Sequence, residues 1–154
     1  MRVEEIKFKE VTNMPFATEF TIHLDDQPGT LGEVCRALAD RDVNIIGFQS
    51  NPVTQGRNLV HMVTDNRSAT KAVLENGRLN FSEMEVAQVK LPNRVGALAK
   101  ASSKLADAGI NIDYGYYGIE PTTKAPVLFL GVAEVGKATK ILDQAAKAAG
   151  AGAT

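Results

Sequence analysis

Residues 16–45, FATEFTIHLDDQPGTLGEVCRALADRDVNI, and residues 83–112, EMEVAQVKLPNRVGALAKASSKLADAGINI, decide the fold, because they are two readings of one pattern. A shift of 67 places Leu24 on Leu91, Gly29 on Gly96, Leu31 on Leu98, Leu38 on Leu105, Asp40 on Asp107 and Asn44 on Asn111. The same shift pairs Asp26 with Asn93, Val34 with Ala101 and Val43 with Ile110. A repeat of this length is one supersecondary unit occurring twice, and it must be recognised before any element is assigned.

Within each copy the periodicity changes in step. Phe16 to Leu24 alternates, with Phe20, Ile22 and Leu24 on one side and Glu19, Thr21 and His23 on the other, the period of a half-buried strand. Glu85 to Leu91 is its counterpart. A polar loop with Pro and Gly breaks the strand, and a helix opens with Leu31, Val34, Cys35 and Leu38 at spacings of three and four. Leu98, Ala101, Ser102 and Leu105 repeat that stripe. Second strands are expected at Val43–Gln49 and Ile110–Tyr117, third strands at Leu59–Thr64 and Val127–Ala133, and second helices at Ser68–Gly77 and Lys137–Ala148.

The order strand, helix, strand, strand, helix becomes a βαββαβ unit once a fourth strand closes it. Leu79–Glu83 supplies that strand in the first copy. The second copy ends in Ala149–Thr154, residues too small and flexible to pair well. An unpaired surplus stands at the N-terminus, Val3–Val11, with Ile6 and Phe8 on one side and Lys7 and Lys9 on the other. It either fills the empty edge of the second unit or adds an edge strand to the first. The expected fold class is α+β: two ferredoxin-like units side by side, with antiparallel sheets and helices on one face. The domains are expected at 12–83 and 84–148, with 1–11 the added strand and 149–154 a flexible tail.

Composition narrows the function. With 154 residues, 17 Lys and Arg against 18 Asp and Glu, and a net charge of -1, the chain lacks the basic footprint of a nucleic-acid binder. No run approaches the roughly 20 apolar residues of a membrane span, and MRVEEIKFKE carries no signal-peptide core, so a cytoplasmic location is expected. Cys35 alone excludes an internal disulfide, and with His23 and His61 it makes a poor metal site. On the helix stripe it reads as a buried, inert thiol. His23 reads as an exposed sheet residue. The cluster Tyr114, Gly115, Tyr116, Tyr117 suits packing on a sheet, or the lining of a pocket.

The loop motifs carry the resemblance. Asp25-Asp26-Gln27-Pro28-Gly29-Thr30-Leu31 with Val43-Asn44-Ile45, and more loosely Asn93-Arg94-Val95-Gly96-Ala97-Leu98 with Ile110-Asn111-Ile112, resemble the ACT family of small-molecule-binding regulatory domains. Val95 departs from the usual Pro. The resemblance covers residues 16 to 148 and implies a free-standing tandem ACT protein, with its domains joined into a continuous sheet and an amino acid held at the interface between them. It further implies a homodimer and a regulated enzyme partner.

The residues agree with that chemistry. A helix opened by Gly29 or Gly96 offers free N–H groups and a positive dipole end to a carboxylate. Asp25 and Asp26 suit an ammonium, and the carboxamide of Asn44 or Asn111 can bridge ligand to loop. The expected ligand residues are therefore Asp25, Asp26, Gln27, Gly29, Thr30, Leu31, Asn44 and Ile45 in the first copy. In the second they are Asn93, Arg94, Gly96, Ala97, Leu98, Asn111, Ile112 and Asp113. Asp26 serves equally as a helix cap, and Asn44 and Asn111 equally as partners of turn backbone. Arg94 reads as a solvated surface residue or as a contact for an anionic ligand group. Arg94 and Asp113 are where the two sites differ.

No nucleophile–histidine pairing, phosphate loop or paired-carboxylate signature is present, so catalysis, cofactors and metals are not expected. The third strands lack the Gly–aromatic run of RNA-recognition domains, which share the element order. The expected function is a non-catalytic amino-acid sensor, the alternatives being a ligand-free interaction or dimerisation module and, less favoured, an RNA-binding module.

Overall fold

A computed structural model describes residues 16–151. Their elements are β1 (Phe16–Asp25), α1 (Thr30–Ala39), β2 (Ile45–Thr54), β3 (Arg57–Thr64), α2 (Arg67–Asn76), β4 (Asn80–Val89), α3 (Ala97–Asp107), β5 (Tyr114–Ile119), β6 (Pro126–Gly131) and α4 (Val135–Ala151). They fall into two compact units, one of Thr18–Glu85 and one of the described residues from Val86 onward together with Phe16 and Ala17.

In the first unit β3 lies between β1 and β2, antiparallel to both, with Thr21 and Gln49 each opposite His61. The Asn80–Glu85 stretch of β4 flanks β1, and the Phe81 ring lies 6.1 Å from Phe20. The alternation of β1 works as expected on one side: Phe20, Ile22 and Leu24 are buried with Val60 and Met62 under Val34, Leu38, Val73 and Leu74 of the helices. Each such side chain contributes about 1.5–3 kcal/mol by leaving water. Asn66 starts α2 by accepting from the Ala69 N–H at 3.0 Å, a side-chain cap.

The second unit repeats the plan. β6 pairs antiparallel with both β5 and β4, with Tyr116 opposite Phe129 and Phe129 opposite Gln88. Ala87, Val89, Leu128 and Leu130 of the sheet meet Ala101, Leu105, Ala138 and Leu142 of α3 and α4. The repeat extends to single hydrogen bonds. Val43 N–H donates to Leu38 O as Ile110 N–H does to Leu105 O, and both helix ends turn through a positive φ, at Asp42 (57°) and Gly109 (73°). Asp tolerates that conformation less well than Gly.

Several expectations are corrected. Leu79–Glu83 and Glu85–Leu91 are not two strands but one, β4, because no turn residue interrupts Asn80–Val89. The second strands begin and end later than expected and the third strands shift by a residue or two, since their ends are set by pairing rather than by hydropathy. α4 runs to Ala151, beyond the expected helix end at Ala148 and into the stretch read as a tail, because alanines propagate a helix well. The strand expected at Val3–Val11 and residues 152–154 lie outside the described residues.

The polar side of β1, with Glu19, Thr21 and His23, and likewise Gln88 of β4, is less exposed than strand alternation and the exposed reading of His23 imply. Glu19 is wholly buried, Thr21 is buried, and His23 and Gln88 are half-buried. Glu19 is held within its own unit, its Oε1 lying 2.9 Å from His61 Nδ1, with Thr21 Oγ1 at 3.4 Å from the same nitrogen. Alternation assigns a residue to one side of a strand. It does not say whether that side meets water.

Candidate functional site

The first glycine loop is built by its own backbone. Gln27 N–H donates to Asp25 O at 2.9 Å and Thr30 N–H to Gln27 O, while the Thr30 hydroxyl bonds Asp25 O at 2.8 Å. Gly29 then takes φ 96°, a left-handed conformation costly for any residue with a Cβ, and α1 starts at Thr30. The helix has no side-chain cap. The capping role open to Asp26 is therefore not used, and the Leu31 and Gly32 amides that such a cap would satisfy at the positive helix end lack one. The contrast with α2, capped by Asn66, is internal to the molecule.

Two residues that the sequence reading passed over hold this loop. Gly56 O accepts from the Asp26 N–H at 3.0 Å, and Arg57 Nη1 donates to Asp25 Oδ1 at 2.6 Å. Both sit at the tip of the β2–β3 hairpin, so only the β1–β3 register, which sets Asp25 opposite Arg57, reveals them. Asp25 is thus engaged by a cation of its own chain. Asp26 and Gln27 are exposed, and Thr30 and Leu31 are half-buried.

Asn44 is exposed and its backbone is tied to Asp65: its N–H donates to Asp65 Oδ1 at 2.9 Å and its carbonyl accepts from Asp65 N–H at 3.0 Å. The turn-backbone role is thus met by Asn44's own peptide groups, and Ile45 beside it packs against the core.

The second loop follows the same bonding. Arg94 N–H donates to Pro92 O at 2.8 Å, Ala97 N–H to Arg94 O at 3.2 Å, and Gly96 takes φ 87° ahead of an uncapped α3. Its surface differs. Asn93, Arg94 and Val95 are exposed and Ala97 is half-buried, while Leu98 is exposed where Leu31 packs against its core. The Asn111 carboxamide donates to Asp113 Oδ1 at 2.9 Å, and Asp113 N–H bonds Gly131 O, so these two residues brace one another at the approach to β5. Ile112 packs on the second core.

Of the tyrosine cluster, Tyr114 and Tyr116 take packing roles and Tyr117 is exposed. Tyr116 is buried with its ring 5.4 Å from Phe129, and Tyr114 lies over Gly131, where a Cβ would fall 2.2 Å from its ring. Cys35 is half-buried, and burial pushes its thiol up, away from the reactive thiolate. No group of His, Cys, Asp and Glu among the described residues is arranged to hold a metal, and none of their helices is long and apolar enough to cross a membrane.

Comparison with known proteins gives three results. Residues 18–75 match the family model for the ACT domain. No curated protein sequence matches the chain. Solved structures of similar fold include protein BT0572 from Bacteroides thetaiotaomicron, with a TM-score of 0.74 at 20% identity over 84% of this chain and 88% of that one. The ligand-free regulatory subunit of aspartate kinase from Thermus thermophilus gives 0.59 at 19% over 86% and 93%. The corresponding subunit from Thermus flavus gives 0.55 at 19% over 86% and 94%. At these identities the likeness is one of fold.

Proposed function

Given an ACT domain over residues 18–75, we propose that this chain is a non-catalytic regulatory protein that senses a free amino acid. The carrying observation is the uncapped, glycine-opened start of α1: two first-turn amides and a positive helix end beside the exposed carboxylate of Asp26. That pairing of donors and anion suits a zwitterion, whose carboxylate takes the helix end and whose ammonium takes Asp26. Asp25 contributes by fixing the loop through Arg57 rather than by holding the ligand. The exposed carboxamide of Asn44 remains a contact in this reading. The fold shared with two regulatory subunits of aspartate kinase supports a regulatory role, with an enzyme as the partner regulated.

Thermal unfolding of the full chain with each proteinogenic amino acid tests this. The expected result is that one or a few raise the Tm, by about 5–10 °C at roughly 100 times Kd. Asp26→Ala should remove the shift while leaving the unliganded Tm within about 2 °C, since Asp26 caps no helix. No shift from any amino acid would refute the reading.

A second reading concerns the second loop. Its fully exposed Val95 and exposed Leu98 favour protein contact there, with a second copy of this chain or a regulated enzyme. Sedimentation of Val95→Asp against wild type separates the two: a lost dimer assigns the loop to self-association.

A further inference from the structure

The net charge of -1 conceals two opposite balances. Thr18–Glu85 holds six Lys and Arg against ten Asp and Glu, a net of -4, whereas residues 86–154 hold eight against five, a net of +3. We propose that the chain self-associates through unlike units: the α1 side of the first unit in one copy docks on the α3 side of the second unit in another copy. This rests on the reading of the second loop as a surface for protein contact, and commits that surface to a second copy of this chain.

The opposite charges stand at corresponding places. Glu33 N–H donates to Gly29 O and Lys100 N–H to Gly96 O, each at 2.9 Å, so these two residues occupy the same position at the start of α1 and of α3. One is an anion and the other a cation, and both are exposed. In the loops ahead of them the shift of 67 sets exposed Gln27 on exposed Arg94. The start of α3 is therefore cationic where the start of α1 is anionic.

Each charged face also carries apolar surface left in water. Phe48 of β2 lies opposite Met62 of the first core and is 50% exposed; Tyr117 of β5 lies opposite Leu128 of the second core and is 53% exposed. Residues directly opposite in a ladder share a face of the sheet, so both rings stand on the helix-packed face of their own unit, beyond the cover of its helices. Ile119, two residues on from Tyr117, and Val95 and Leu98 at the start of α3 are exposed as well. A lone exposed apolar residue is ordinary, but aromatic and aliphatic ones gathered on one charged face mark a contact surface.

Charge selects the occupant. Contact between like faces would set Glu33 against Glu33 or Lys100 against Lys100, whereas contact between unlike faces sets each against its opposite. Every copy of the chain carries both faces, so a second copy always supplies the complement. Such a contact is heterologous, with apolar burial giving affinity and the flanking charges fixing which faces meet.

Sedimentation velocity of the full chain tests the proposal. The wild type should self-associate, and less tightly as salt is raised. Glu33→Lys and Lys100→Glu should each weaken association by about tenfold, and the two together in one chain should restore it, because the reversed charges again meet opposite signs. Phe48→Asp and Tyr117→Asp should each abolish it, with a Tm within about 2 °C of wild type by far-UV circular dichroism. The proposal is overturned if the chain is a monomer, which leaves the second loop to a regulated enzyme, or if the double reversal associates no better than the single ones. Loss of association in Val95→Asp but not in Glu33→Lys or Phe48→Asp also overturns it, while keeping the second loop as a contact between like faces.

Discussion

Glu120→Gln should destabilise the protein by about 2 kcal/mol at pH 7, and the penalty should vanish in acid. Glu120 stands at the start of the β5–β6 connection and is only 4% exposed. Burial alone would raise its carboxyl, but the Thr123 hydroxyl, the Thr123 and Thr122 N–H groups and the nearby Lys90 ammonium outweigh it and bring it down to about 2. The geometry accounts for this: Oε1 accepts from Thr122 N–H at 3.0 Å and Oε2 from Thr123 N–H at 2.6 Å and from the Thr123 hydroxyl.

A fall from 4.5 to about 2 corresponds to about 3 kcal/mol of stability at neutral pH. Thr122–Lys124 around the carboxylate are exposed, and solvent screening there reduces the figure to about 2. Because the folded state binds this proton more weakly than the unfolded state, the contribution is present above pH 4.5 and is lost as pH falls toward 2. At pH 3 less than half of it remains.

Gln keeps one acceptor but turns an NH2 group toward the Thr123 amide, so one donor is left facing another. The chain has no Trp, so urea unfolding is best followed by far-UV circular dichroism, at pH 7, 5 and 3. A penalty under about 0.5 kcal/mol at pH 7, or one that stays constant down to pH 3, would refute the reasoning.

Other substitutions test other parts of the fold. Asp42→Gly should stabilise by about 0.5–1 kcal/mol, since Asp42 holds a φ of 57° at the turn where the second copy has Gly109; urea midpoints read this. Gly131→Ala should cost about 2–3 kcal/mol, because its Cβ would fall 2.2 Å from the Tyr114 ring, and a shifted Tyr114 ring resonance should accompany the loss. Glu19→Ala should cost about 2–4 kcal/mol in urea unfolding by removing the carboxylate that His61 engages in a buried setting.

The repeat is legible in the sequence alone, and with it the element order and the glycine-opened loops, because these are local: strand alternation, helix spacing and the need for a left-handed residue each show within a few positions. Gly29 and Gly96 stand at positive φ where the sequence put the loop breaks, and the apolar stripes of α1 and α3 supply the buried Val34, Leu38, Ala101 and Leu105. The Arg57 clamp on Asp25 was not legible, since it joins residues 32 positions apart through a strand register that hydropathy does not encode.

The same limit explains Glu19. Its place opposite Phe20 in the alternation is written in the sequence, but its complete burial and its bond to His61 arise from what covers that side of β1. The continuity of β4 is the converse case. The sequence offered two short strands around Met84, and pairing made them one, because a strand ends where its hydrogen-bond partners end. Local periodicity thus determined which elements exist and where the loops open. Tertiary packing decided how far each strand extends, which polar side chains are buried, and which groups hold the loop beside the helix end, since burial and long-range hydrogen bonding depend on neighbours that no local pattern names.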